Sequence, residues 1–253
     1  MRKTCFIFSL FVVVNIYSQE IIPSEVSLLM KHYPQIISYD GGRLIFGDNT
    51  SIVYDDKTHK TTSQLLDQAD IEDMFKQDYP KGTIPLKISK NQDPGRYRSE
   101  GFFRKVYGNS PQEVERNLVE IIWCPKLVGQ KIRVSKINGI ADKLKSISKE
   151  LDEHPEWKRY IANVGGTYNW RYIKGTKRLS QHSYGASIDL NVKYSNYWQW
   201  DYKTTREDIQ LSYRNQIPQG IVDIFEKHGF IWGGKWYHYD TMHFEYRPEL
   251  LED

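Results

Sequence analysis

Short apolar and polar alternations run through residues 33–56, interrupted at Asp40-Gly41-Gly42 and at Gly47-Asp48-Asn49. Both triplets favour tight turns, so this stretch predicts a small antiparallel meander. Thr62 to Phe75 reads as a helix. Residues 77–110 are rich in Pro, Gly, Lys and Arg, as in Tyr79-Pro80-Lys81-Gly82 and Asp93-Pro94-Gly95-Arg96, and predict extended loop structure.

From Ser110 the pattern becomes regular. Ser110-Pro111 is a good helix start and Glu113 fits a capping box, predicting a helix that ends before Pro125. A strand follows at Lys131 to Val134. Ile140, Leu144, Ile147 and Leu151 form a helical stripe within Asn138 to Leu151. Strands are expected at Gly166 to Ile173, Ala186 to Val192 and His243 to Arg247, with a helix from Pro218 to just before Gly229. Helices followed by strands, without alternating βαβ units, indicate an α+β fold: a small antiparallel sheet with flanking helices. The divisions expected are residues 1–18, a small α/β or β-rich N-terminal region at 19–110, and a second domain at 111–253.

The first residues change the picture of where the chain works. Basic Arg2-Lys3 precede an apolar run from Cys5 to Val14, and small Ser18 stands at a plausible cleavage position. The run is shorter than the ~20 residues that span a bilayer, so it reads as a secretory signal peptide, with no transmembrane anchor expected after cleavage. A secreted or periplasmic protein is the consequence. The formal charge of +3 is mostly this leader: without residues 1–18 the chain keeps 33 basic against 32 acidic residues. No long Lys/Arg run is present, which argues against nucleic acid as a partner. Cys5 leaves with the leader, so Cys124 alone remains, and it reads as buried filler in an apolar stretch. Internal disulfides and multi-cysteine zinc motifs are thereby excluded.

Two segments concentrate polar chemistry in apolar, glycine-containing surroundings: Ser180 to Asp189 and Trp232 to Glu245. Asp189 lies in a predicted strand between Ile188 and Leu190 and points away from both. A carboxylate there is costly unless it meets a cation or a metal. His243 and Glu245 share a strand face, and Asp240 sits at the turn before them. His182, Asp189 and His243 together supply the donors of a catalytic zinc site with one position left to water. Metal-activated water then needs a carboxylate to take its proton, and Asp240 and Glu245 are both candidates.

Ser180-x-His182-x-x-Gly185-x-x-x-Asp189, followed by Trp236-x-x-x-Asp240-x-x-His243-Phe244, resembles the zinc peptidases of bacterial cell-wall metabolism. That group includes VanY-like D-alanyl-D-alanine carboxypeptidases, D-Ala-D-Ala dipeptidases and the L-alanyl-D-glutamate endopeptidases of phage endolysins. The resemblance covers about residues 130 to 250. It implies a hedgehog/D-Ala-D-Ala-peptidase-like fold and one Zn²⁺ per chain, held by His182, Asp189 and His243. Asp240 matches the general base, and its short side chain is closer to the carboxypeptidase and endolysin branches. Arg171 matches the arginine that polarises the scissile carbonyl or holds a substrate carboxylate, with Arg178 as its rival. The pattern departs from the family at Ser187, where Ala is usual, and in lacking the Gln that often follows the arginine.

Other residues fill supporting positions. Ser180 is expected to bond substrate or orient a ligand, or else to cap a turn. Glu245 is expected to orient His243 or close the site, and His238 to support the scissile bond rather than bind metal. Trp232, Trp236 and Tyr197-Trp198-Gln199-Trp200 are aromatic enough to wall a groove for peptide or sugar. The expected activity is hydrolysis of peptidoglycan stem peptides, foremost the terminal D-Ala-D-Ala bond. Alternatives are an endopeptidase of the L-Ala-D-Glu type, a zinc enzyme acting on another amide, and a non-catalytic cell-wall-binding protein that keeps the fold. Binding alone has no chemical need for Asp240.

Overall fold

The computed structural model describes residues 21–252, so the expected leader, with Cys5, lies outside the described residues. Helix α1 (Ser24–His32) packs its Val26 and Leu29 inward and leads into β1 (Ile36–Asp40), β2 (Arg43–Phe46) and β3 (Ser51–Val53). These strands form the expected antiparallel meander, turning where Gly41 and Gly42 adopt positive φ. The helix expected over 62–75 breaks in two. Helix α2 (Thr62–Gln68) has a capping box between Thr61 and Gln64, the chain turns extended at Ala69, and a 3-10 turn covers Glu72–Phe75.

The segment expected to be loop up to residue 110 contains a helix, α3 (Glu100–Tyr107). Its Phe102, Phe103, Val106 and Tyr107 fall on one buried face, a helical spacing obscured by the Pro- and Gly-rich stretch before it. The helix expected from Ser110 to Pro125 is corrected more strongly. Helix α4 (Pro111–Glu115) is one turn long: Ser110 Oγ caps Glu113 N, but the Glu113 carboxylate takes Asn109 N instead of closing the box. The chain then becomes β4 (Leu118–Trp123), paired along its whole length with β5 (Gln130–Ser135). Ile121 and Trp123 are buried while Glu120 and Ile122 are exposed, a period of two that suits the β-branched residues here.

Helix α5 (Ile140–Leu151) buries the predicted stripe, and its start is set by left-handed Asn138 and Gly139. A short α6 (Lys158–Ile161) leads to β6 (Val164–Gly166), followed later by β7 (Ser187–Asn191), α7 (Trp198–Tyr202), α8 (Gln219–Lys227), β8 (Phe230–Trp232) and β9 (His243–Tyr246). The last sheet is antiparallel in the order β6-β7-β9-β8. Mixed helices and small antiparallel sheets make the fold α+β. One hydrophobic core runs from Val26, Phe46 and Phe103 through Trp123 and Ile147 to Phe225 and Phe244. Cys124 is buried in it, and burial pushes its thiol up to about 12. Among the described residues no helix is long and apolar enough to cross a membrane.

The strand expected over Gly166 to Ile173 stops at Gly166. Beyond it the backbone wraps the turn at residues 181–184 instead of a neighbouring strand: Asn169 N donates to His182 O, Ser180 N to Arg171 O, and Ser183 Oγ to Arg171 O. That wrapping fixes the turn carrying His182.

Candidate metal centre

Ser180 begins this turn, its Oγ accepting from His182 N at 3.3 Å, so its side chain is used as a cap. Gly185 ends the turn at φ 63°, where a Cβ would lie 2.6 Å from Leu118 Cδ2. The chain can therefore press against β4 and β5 and enter β7 directly. Ile188 and Leu190 are fully buried, and Asp189 alternates to the other face. β7 and β9 then pair with Asp189 directly opposite His243.

Before β9, Asp240 N donates to Gly233 O and His243 N to Asp240 O, a turn that holds Asp240 beside the two strands. Gly233 permits it, since a Cβ there would meet Asp240 O at 2.6 Å.

These elements bring His182 Nε2, Asp189 Oδ1 and His243 Nδ1 into a triangle with edges of 2.9, 3.1 and 3.2 Å. A tetrahedral zinc with ligands at ~2.0–2.1 Å spaces them about 3.3 Å apart, so the donor set fits the ion in size and in chemistry. The remaining ring nitrogens are fixed from outside. His182 Nδ1 lies 2.9 Å from Thr167 O, and His243 Nε2 lies 3.0 Å from Glu245 Oε2. Each outer partner accepts an N–H, so that the inner nitrogen, once it has lost its own proton, turns a lone pair toward the triangle.

The electrostatics favour a cation at the centre. Burial disfavours the charge of Asp189, but His182 and His243 beside it hold its carboxyl well below the usual range. Burial equally opposes a charge on His243, yet hydrogen bonds to Asp189 and Glu245 carry it up to about 10. Asp240 moves the other way: burial, and then the negative charge of Asp189, push it up to about 7. Its Oδ1 is shielded from solvent and has no hydrogen-bond partner among the described residues. A buried carboxylate oxygen left unpaired beside three candidate ligand atoms has a free acceptor site for a proton.

The other sequence-derived residues fall in distinct places. Arg171 is exposed, forms no side-chain ion pair among the described residues, and lies close enough for its charge to favour ionisation of Asp240. Arg178 instead lines a small cavity of about 30 Å³ with Arg96, Arg98 and Gln181, next to Asp67 at 3.3 Å. Glu245 is buried and reached by Arg98 and Arg247. Trp236 packs its ring 5.8 Å from that of His243 and donates its indole N–H to Pro94 O. His238 has both ring nitrogens engaged, Nδ1 with Asp93 at 2.7 Å and Nε2 with Glu207 O at 2.9 Å. It is a strut between two loops and has no nitrogen free for a metal. Trp232 is wholly buried, donating to Thr241 O, as is Trp198, whereas Trp200 is exposed against Tyr197.

Sequence reasoning missed Thr167, Arg98, Arg247 and the Asp93–Arg96–Glu207 cluster. Arg247 was the traceable one, since it follows His243 and Glu245 at the same spacing of two, one residue past the end of β9. Two acidic groups with metal-like spacing occur around Asp70. They already hold a cation: Lys60 Nζ lies 2.9 Å from Asp56, 2.9 Å from Asp70 and 2.6 Å from Asp73.

Residues 174–246 match the family model described as D-alanyl-D-alanine carboxypeptidase, a span containing His182, Asp189, Asp240 and His243. No curated protein and no solved structure matches the chain. The family match supports a peptidase.

Proposed function

We propose that the chain is a secreted or periplasmic zinc metallopeptidase that cleaves peptidoglycan stem peptides, acting as a D-alanyl-D-alanine carboxypeptidase. The observation that carries this reading is the triangle of His182, Asp189 and His243 with the unpaired oxygen of Asp240 beside it. The description of the matching family favours the carboxypeptidase over an endopeptidase.

His182 through Nε2, Asp189 through Oδ1 and His243 through Nδ1 would hold the ion. When bound, zinc supplies Lewis acidity, activating water and polarising the scissile carbonyl. The chain's own part is positional and acid–base. Asp240 accepts the proton of the attacking water at Oδ1 and delivers it to the departing amine, a task suited to a shielded carboxylate oxygen that has no hydrogen-bond partner among the described residues. Arg171, exposed and without an ion-pair partner among the described residues, is available to the carbonyl oxygen or to the substrate's terminal carboxylate. Thr167 O and Glu245 keep the two rings turned toward the centre throughout.

Mass analysis of a muramyl pentapeptide after incubation with the zinc-loaded protein tests the bond assignment. Loss of a single D-alanine is the expected product. Fragments cut between L-Ala and D-Glu would replace the carboxypeptidase by an endopeptidase, and an uncut peptide would remove the peptidase reading.

A further inference from the structure

Residues 92–98 lie far before the segment matching the peptidase family, yet they are fastened along the strand and turn that carry the candidate metal ligand His243. Tyr237 N donates to Gln92 O, His238 N to Asp93, Trp236 Nε1 to Pro94 O and Arg247 Nη1 to Gly95 O. Gly95 allows this close approach: its φ is 91°, and a Cβ there would meet Ile231 Cδ1 at 2.4 Å. The segment ends in Arg98, whose guanidinium grips Glu245 with two bonds, Nε to Oε1 at 3.2 Å and Nη2 to Oε2 at 2.5 Å. Its Cζ also stands 5.6 Å from the centroid of the Trp236 ring.

We infer that Arg98 is a positioning residue of the metal centre, acting through Glu245 to hold His243 with Nε2 outward and Nδ1 toward the ion. This rests on the zinc reading of the site. Glu245 Oε2 is the oxygen that holds His243, at 3.0 Å, and Arg98 is its other anchor. Arg247 does not duplicate the role. It reaches only Oε1, at 3.3 Å, and makes its shortest contact, 2.5 Å, with Glu249. Without Arg98, Oε2 is free to turn and the ring loses the partner that sets which nitrogen faces inward. The bidentate fork matters because two parallel bonds fix the plane of the carboxylate as well as its place. The N-terminal region thereby supplies an outer wall of the metal centre.

Zinc affinity measured by chelator competition, with the visible spectrum of the Co²⁺-loaded protein, tests the inference. Arg98→Gln should weaken zinc binding by about 10- to 100-fold and alter the Co²⁺ spectrum, the usual scale for an outer partner of a ligand histidine. Arg98→Lys, which keeps the charge but loses the fork, should fold and recover only part of the affinity. Arg96→Lys serves as a control, since Arg96 secures the same segment through Asp93 and Glu207 without touching Glu245. It should bind zinc as the unsubstituted chain does. Unchanged affinity and spectrum in Arg98→Lys, or an equal loss in Arg96→Lys, would overturn the role of Arg98 while leaving the zinc site standing. An unsubstituted chain that binds no zinc would sink both.

Discussion

Asp189 and His243 stand directly opposite each other on neighbouring antiparallel strands, Oδ1 to Nδ1 2.9 Å apart. Two of the three candidate ligands are thus a cross-strand pair, whose separation is set by the sheet rather than by loops. His182 joins them from a turn tied down at both ends. Such a site is largely formed before any ion arrives. Asp189→Glu keeps the charge but pushes the oxygen one methylene further into a triangle that already has zinc-sized edges. Zinc stoichiometry, measured on dialysed protein, should fall well below one per chain in that variant and to background in Asp189→Ala, with both variants folded.

Asp240 is separable from the candidate ligands. Asp240→Asn preserves shape, removes the proposed proton acceptor, and leaves His182, Asp189 and His243 in place. Turnover should drop by about 100- to 10,000-fold, the usual worth of a positioned general base, while zinc content stays at one per chain. Equal turnover in the variant would assign the proton transfer elsewhere.

The same charges predict how zinc binding responds to pH. In the metal-free protein burial opposes the charge on His243, but Asp189 and Glu245 raise its pKa to about 10, above the ~6.5 of an unfolded histidine. A raised histidine pKa means the imidazolium stabilises the metal-free fold. That contribution is complete below about 6.5 and is lost as pH rises through about 10. Zinc requires the neutral ring, so binding must expel this proton. Calorimetry in buffers of different ionisation enthalpy should register proton release at neutral pH, and affinity should rise by up to about tenfold per pH unit from about 7 to about 10. A pH-independent affinity across that range would contradict the charge arrangement.

A fourth expectation concerns stability. Lys235 is wholly buried, with Nζ 2.6 Å from Glu226, 2.6 Å from Pro80 O and 2.8 Å from Gly82 O. It locks the loop at residues 79–82 to α8 and to the turn before Asp240. Glu226→Ala leaves the ammonium buried without its counter-charge and should cost about 3–5 kcal/mol in denaturant unfolding. Pairing it with Lys235→Met should recover much of that loss, which would separate the unpaired charge from simple loss of packing.

The parts of the fold and site legible in the chain are the local ones. His182 and Asp189 fall within ten residues, as do Asp240, His243 and Glu245, so their spacing is visible before any folding. The meander was legible for the same reason, through its paired turn signals, and α5 through its apolar stripe. What escaped was decided by distant partners. β4 has a good helix start just before it, and only pairing with β5 along its full length makes it a strand. Residues 167–173 have a strand-like composition, but their backbone bonds go to the turn around His182. Arg98 sits in a Pro/Gly-rich stretch 147 residues before Glu245, and nothing local marks it as the partner of a buried carboxylate.

On the proposed reading, this chain uses a bound zinc to release D-alanine. The most direct measurement is the rate of D-alanine release from a muramyl pentapeptide, followed before chelation, after chelation and after return of one equivalent of Zn²⁺. The expected result is release that chelation abolishes and a single zinc equivalent restores. Release that continues undiminished in metal-free protein, or none from protein carrying its zinc, would contradict it.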